Sequence, residues 1–165
     1  MKEEVCVILD KIAALLEIKG ETFFKYSAYS KAAEILRAGD YDLKELVENN
    51  TLHEVKGIGK ALNEKISEYV KTGEMTYFNK LKSEYPETLT ELLKIDGLGP
   101  KRIKSLYDVL GIADIESLEK SCISGSLKEQ KGFTEQGVGK ILDSVKQFKS
   151  NDKYKIRNVD FDNIR

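Results

Sequence analysis

The sequence predicts an all-α protein made of two small helical subdomains. Three observations predict it. Apolar residues recur at spacing close to 3.6 along the 165 residues, and no stretch alternates convincingly with period two. Glycines stand where the apolar runs stop, at Gly20, Gly39 and Gly73. A pattern of apolar-x-Gly-apolar-Gly, each time followed by a helical run, occurs at Gly57 and again forty residues later at Gly97.

Taken in order, Val5, Ile8, Leu9, Ile12, Leu15 and Leu16 make the buried face of a first helix that ends near Gly20. Tyr26, Tyr29, Ala33 and Leu36 mark a second, ended at Gly39. A short third runs from Asp42, an N-cap, to Asn49. Leu62, Ile66, Tyr69 and Val70 define a fourth, stopped by Gly73. After "YFNKLKSEY", Pro86 is placed to open a helix carrying Leu89, Leu92 and Leu93. Further helices are predicted over Lys101–Leu110, Ile115–Ser121 and around Val138–Phe148, with residues 151–165 as a polar tail. This divides the chain into residues 1–84, residues 85–150 and the tail.

Composition narrows the function. The chain is 41% apolar and 33% charged, as a folded domain should be, and its net charge is −1. Residues 1–50 carry 7 basic and 10 acidic side chains, residues 51–84 carry 6 and 5. No global positive field exists, so a polyanion site must be a local patch built partly from backbone groups. No apolar run is long enough to span a membrane, and the start "MKEEVCVILD" is too acidic for a signal peptide. Cys6, Cys122 and the lone His53 lack the spacing of a disulfide framework or metal cluster. A reduced, cytoplasmic protein is expected.

The repeated glycines carry the chemistry. "LHEVKGIGKALNEKI" and "LLKIDGLGPKRIKSL" each read as a helix, a tight turn and a second helix: a helix-hairpin-helix. Glycine permits positive φ in the turn and lets another backbone approach without a Cβ in the way. Ile58 and Leu98, between the glycines, plug the hairpin core. The following helix begins with unpaired N–H groups at a positive dipole end, suited to a phosphate oxygen. Lys60 and Lys101 lie in that first turn, where they oppose the dipole but suit a phosphate partner. "LKEQKGFTEQGVGKIL" reads as a third, decayed copy, with either Gly132 and Thr134 or Gly137 and Gly139 in the glycine positions; spacing from Leu127 favours the former. A dinucleotide loop or Walker loop is excluded by the missing strand and the missing Gly-Lys-Ser/Thr. Contacts to the DNA backbone carry no sequence information, so binding is expected to be non-specific.

"FKYSAYSKAAEIL", "VKGIGKALNEKISEYVKTG" and "LLKIDGLGPKRIKSLYDVLGI" together resemble the N-terminal region of family X DNA polymerases, the DNA polymerase beta type, over roughly residues 5–148. The resemblance implies a small lyase-like domain that binds the 5′ side of gapped DNA, followed by a helix-hairpin-helix subdomain on the primer side. It implies hairpin contacts to phosphates through Gly57, Ile58, Gly59, Lys60, Gly97, Leu98, Gly99 and Lys101, with no cofactor required. It also implies a Na⁺ or K⁺ held by loop carbonyls such as those of Val55 and Gly57. Lys25 and Tyr29 match positions that bind the 5′ phosphate and shape its pocket. Lys65 matches the Schiff-base lysine of 5′-deoxyribose-phosphate lyase activity. The residues themselves point the same way: Lys65 borders the apolar stripe of Leu62 and Ile66, where desolvation favours the amine.

The pattern departs in places. A pocket histidine of the family falls on Phe24, and pocket lysines fall on His53, Ala61 and Tyr77. The palm domain, with three carboxylates for two Mg²⁺ ions, does not fit after residue 150. Asp160 and Asp162 have the right dipeptide pattern without the structure around it. The sequence therefore predicts a DNA-binding protein for gapped, nicked or 5′-phosphorylated DNA in repair, with repair proteins as further partners. The enzyme version of this reading adds lyase action at Lys65; the N-terminal part of a longer polymerase and a protein-interaction scaffold are the alternatives.

Overall fold

The computed structural model describes the backbone of residues 1–164 and the side chains of residues 1–151. The chain forms two compact units, Met1–Glu87 and Thr88–Arg165. The described backbone is helical, with helices α1 (Lys2–Lys19), α2 (Phe23–Ala38), α3 (Leu43–Glu48), α4 (Lys60–Thr72), α5 (Thr76–Glu84), α6 (Leu89–Leu92), α7 (Pro100–Leu110), α8 (Ile115–Ser124) and α9 (Glu135–Ile164). One 3₁₀ turn, Leu52–Glu54, lies before α4.

In the first unit α1 packs along α2. The Lys2 ammonium donates to the Gly39 carbonyl (2.8 Å) and the Cys6 thiol to the Ala33 carbonyl (3.6 Å), so the start of α1 lies against the end of α2 and the pair is antiparallel. Leu9, Ile12, Leu15 and Leu16 bury themselves from α1, and Ala32, Ala33 and Leu36 from α2. The alanines let the two backbones approach closely. Each fully buried leucine or isoleucine contributes about 1.5–3 kcal/mol. Gly20 ends α1 in the left-handed conformation, satisfying carbonyls of the last turn. Asp42 caps α3 by accepting the Glu45 N–H at 3.2 Å. Leu62 and Ile66 of α4, with Phe78 and Leu81 of α5, complete the core.

In the second unit Leu89 and Leu92 of α6, Ile103 and Leu106 of α7, and Leu118 of α8 meet Val138, Ile141 and Val145 of α9 in the buried set. Pro86 does not open a helix. Tyr85 is extended, as a residue before proline prefers, and α6 begins only at Leu89, with the Thr88 hydroxyl donating to the Ala113 carbonyl (2.6 Å). Pro100 takes that role instead, in the first turn of α7. Asp114 and Ser117 form a capping box at the start of α8. Lys149 of α9 pairs with Glu116 (2.9 Å) and Glu119 (2.8 Å) of α8. α9 continues through the stretch read as a tail, which has neither glycine nor proline to stop it. Asp160 and Asp162 lie outside the residues whose side chains are described. Among the described residues no helix is long and apolar enough to cross a membrane.

Truncating the fully buried Ile66 to alanine is expected to cost about 2–5 kcal/mol, read from urea unfolding. The Asp114 carboxyl is held below its ordinary 3.8, first by the Ser117 backbone N–H and then by the Ser117 side chain. A depressed folded pKa gives stability that is present above 3.8 and lost as pH falls through the lower folded value. Asp114→Asn should therefore flatten the acid limb of the unfolding midpoint below about pH 4, and an unchanged limb would contradict the assignment.

Candidate nucleic-acid interface

Three turns share one geometry. At Gly57, Gly97 and Gly132 the backbone is left-handed, with φ of +100°, +91° and +89°. The next residue folds its N–H back to a carbonyl three residues earlier: Ile58 to Val55 (3.0 Å), Leu98 to Ile95 (3.2 Å) and Phe133 to Gln130 (3.2 Å). One residue on, a carbonyl accepts the first bond of the following helix: Gly59 from Asn63 (2.9 Å), Gly99 from Ile103 (3.0 Å) and Thr134 from Val138 (2.9 Å). The third hairpin thus uses Gly132 and Thr134. Gly137 and Gly139 sit inside α9.

The two glycines of each good hairpin differ in role. Only the first needs positive φ. A Cβ on Gly57 would also collide with the Ile35 Cδ1, and one on Gly97 would lie 3.3 Å from the Ile141 Cγ1. Gly59 and Gly99 have φ of −78° and −105°, which any residue adopts, and a Cβ on either would meet nothing within 4 Å. The fold places no steric demand for glycine at these second positions. Ile58 and Leu98 are buried, 2% and 7% exposed, and plug their hairpins as expected.

The helix starts differ as well. Neither α4 nor α7 has a side-chain cap or an acidic residue in its first turn, and Lys60 and Lys101 are exposed there. Their N–H groups and dipole ends stay uncompensated. In α9 the Thr134 hydroxyl accepts the Gly137 N–H (3.0 Å) and Glu135 sits in the first turn. The third helix start is neutralised by its own residues.

In the first unit the structure gathers Lys65, Tyr29 and Tyr77. Lys65 is half-buried on α4, its ammonium 4.7 Å from the centre of the Tyr77 ring, a cation–π contact. Tyr77 stacks on buried Tyr29 with centroids 5.9 Å apart and planes 3° from parallel. Burial, then the neighbouring Tyr77, raises the Tyr29 phenol well above its ordinary value. Lys25 is exposed, pairs with Glu21 (3.5 Å), and lines a cavity of about 160 Å³ together with Tyr77, Lys80, Lys19 and Glu84. The Lys19–Glu84 bond (2.8 Å) raises the ammonium pKa and lowers the carboxyl. Lys60 stands one and a half turns from Lys65, about 7.5 Å along the helix. Phe24 is 87% exposed, and His53 and Ala61 are exposed too. Val55 and Gly57 present loop carbonyls before α4, the former already accepting from Ile58. Among the described residues no cluster of three metal-ligating side chains exists.

Sequence reasoning did not single out Lys80, Lys19 or Arg102. Arg102 donates to the carbonyls of Gly97 (3.3 Å) and Gly132 (3.2 Å) and lies 4.7 Å from the Phe133 ring. Nothing in linear spacing connects residue 102 to 132. The Thr134 cap was readable, since a threonine before a Glu-opened helix is an N-cap signature.

Residues 1–75 match a helix-hairpin-helix domain family, and residues 89–147 match a SAM-like helix-hairpin-helix tandem family. The two helix-hairpin-helix family models thus match separate parts of the chain and together most of its length. Across 144 residues it is 37% identical to the DNA polymerase/3′-5′ exonuclease PolX of Bacillus subtilis (strain 168), a match covering 87% of this chain and 25% of that protein. The chain is related to the N-terminal part of that family X polymerase, and it spans about a quarter of its length.

The unequal glycines predict unequal stability effects. Gly57→Ala should cost about 1–3 kcal/mol from forced φ and the Ile35 clash, whereas Gly59→Ala should stay within about 0.5 kcal/mol. Equal losses in urea unfolding would refute the division of roles.

Proposed function

We propose that this chain binds the phosphate backbone of gapped, nicked or 5′-phosphorylated DNA, without sequence preference, in cytoplasmic DNA repair. The observation that carries the reading is the second glycine of the first two hairpins. Its backbone is ordinary and its surroundings are open, so the missing Cβ serves a body that approaches from outside. That body meets uncapped N–H groups, a positive dipole end and a lysine, Lys60 or Lys101. A phosphate diester fits all three. Ile58 and Leu98 hold Gly57–Lys60 and Gly97–Lys101 in place from within. At the first hairpin, the Val55 and Gly57 carbonyls are the groups that would hold a Na⁺ or K⁺. Repair proteins are the further partners this reading implies.

A second reading adds 5′-deoxyribose-phosphate lyase action. Its specific support is the half-buried Lys65 amine beside Tyr77, with Lys25 and Tyr77 both lining a cavity suited to the 5′ phosphate and Tyr29 stacked against Tyr77. The amine would attack C1′ of the abasic sugar and lose water to give an imine. Abstraction of a C2′ proton would then expel the 3′ phosphate.

Titration of gapped DNA with and without the 5′ phosphate tests the binding reading. Affinity should fall steeply with salt, and Gly59→Ala with Gly99→Ala should weaken it about tenfold while leaving unfolding unchanged. No binding at low salt, with capture of a protein partner intact, would instead favour an interaction scaffold. Borohydride trapping tests the lyase: an adduct lost in Lys65→Ala supports it, and absence of an adduct in the native chain rules it out.

A further inference from the structure

The second and third hairpins differ from the first in one respect that the reading above does not use. Arg102, in the first turn of α7, reaches back to the Gly97 carbonyl and across to the Gly132 carbonyl. Its guanidinium carbon lies 4.7 Å from the centre of the Phe133 ring, the residue that follows Gly132. A planar fork with five N–H donors, two of them engaged on separate loops and one face against an aromatic ring, has lost most of its rotamer freedom. The remaining donors and the full positive charge stay with it.

This arrangement does not fit a metal ion at the second hairpin. A monovalent cation in a loop of this kind needs carbonyl oxygens that no fixed cation of the protein already occupies. Here the Gly97 oxygen already accepts from a cation belonging to the protein, and Arg102 would repel a second positive charge across a few ångströms. The first hairpin has Leu62 at the equivalent position, three residues past its second glycine, buried and without charge.

We infer that Arg102 is a built-in cation for the second and third hairpins: it joins their loop carbonyls, holds Gly97 and Gly132 at fixed separation, and presents to an incoming phosphate the charge that an ion would otherwise supply. The two hairpins then act as one binding element whose affinity is indifferent to which monovalent cation is in solution. The third hairpin, with its self-capped helix start, takes part as an anchor for the guanidinium rather than as a phosphate site of its own. The phosphate contact rests on the DNA reading above; the carbonyl clamp does not.

Two measurements on the full chain separate them. Without DNA, the amide resonances of Gly57, Gly97 and Gly132 are followed while K⁺ replaces tetramethylammonium at constant ionic strength. In the native chain those of Gly97 and Gly132 should not show saturable movement, whatever Gly57 does. In Arg102→Ala they should move saturably with K⁺, the freed carbonyls now accepting the ion, while Arg102→Lys should give an intermediate response because a point charge cannot span both oxygens. With gapped DNA in tetramethylammonium, Arg102→Ala should bind about tenfold more weakly than the native chain, and K⁺ should recover part of that loss. Saturable K⁺ binding at Gly97 in the native chain, or an Arg102→Ala variant identical to native in both measurements, overturns the inference. A native chain that binds no DNA while its loop resonances behave as described sinks the DNA reading and leaves the clamp standing.

Discussion

A chain that must turn tightly into the next helix has few conformations open to it, and at Gly57, Gly97 and Gly132 this protein uses a left-handed glycine for that turn. At each of the three the positive φ lets the following N–H fold back onto a carbonyl three residues before, and at the first two it aims the next apolar side chain inward. Ile58 and Leu98 fill that inward place. Once the plug is seated, the direction of the helix after it is settled, and so is the direction of its free N–H groups. Lys60, Lys65 and Lys101 all lie on helices whose direction those turns set.

The near-neutral charge follows from the same constraint. A protein that meets DNA through side-chain cations alone needs many of them and carries a strongly basic surface. Here the helix starts of α4 and α7 provide oriented N–H groups as part of the fold, with Lys60 beside the one and Lys101 and Arg102 beside the other. Glu3 and Asp10 are engaged with Arg37 in ion pairs within the first unit.

Helix periodicity and terminal glycines made most of the fold legible, because α1, α2, α4 and α7 each bury one continuous stripe and end at a residue free of Cβ strain. Pro86 misled because proline at a helix start is common, whereas here the turn through Thr88 comes first. The second hairpin glycines were legible as glycines but not in their role: only the φ values and the empty space around Gly59 and Gly99 separate a residue the fold needs from one it does not. Tyr77 was visible as a departure from a basic position. That its ring would lie between Lys65 and Tyr29 depends on how α5 packs, which no local pattern encodes. Arg102 was illegible for the same reason, since its partner loop is thirty residues away.

The stacked Tyr29–Tyr77 pair has an optical consequence. The chain contains eight tyrosines and no tryptophan, so phenol emission is not drained by energy transfer to an indole. Two of those phenols lie face to face at 5.9 Å, one of them under the Lys65 ammonium and beside the cavity of Lys25 and Lys80. A ligand in this cavity would lie against one ring of that pair, so the tyrosine signal of the native chain is where its entry should be sought.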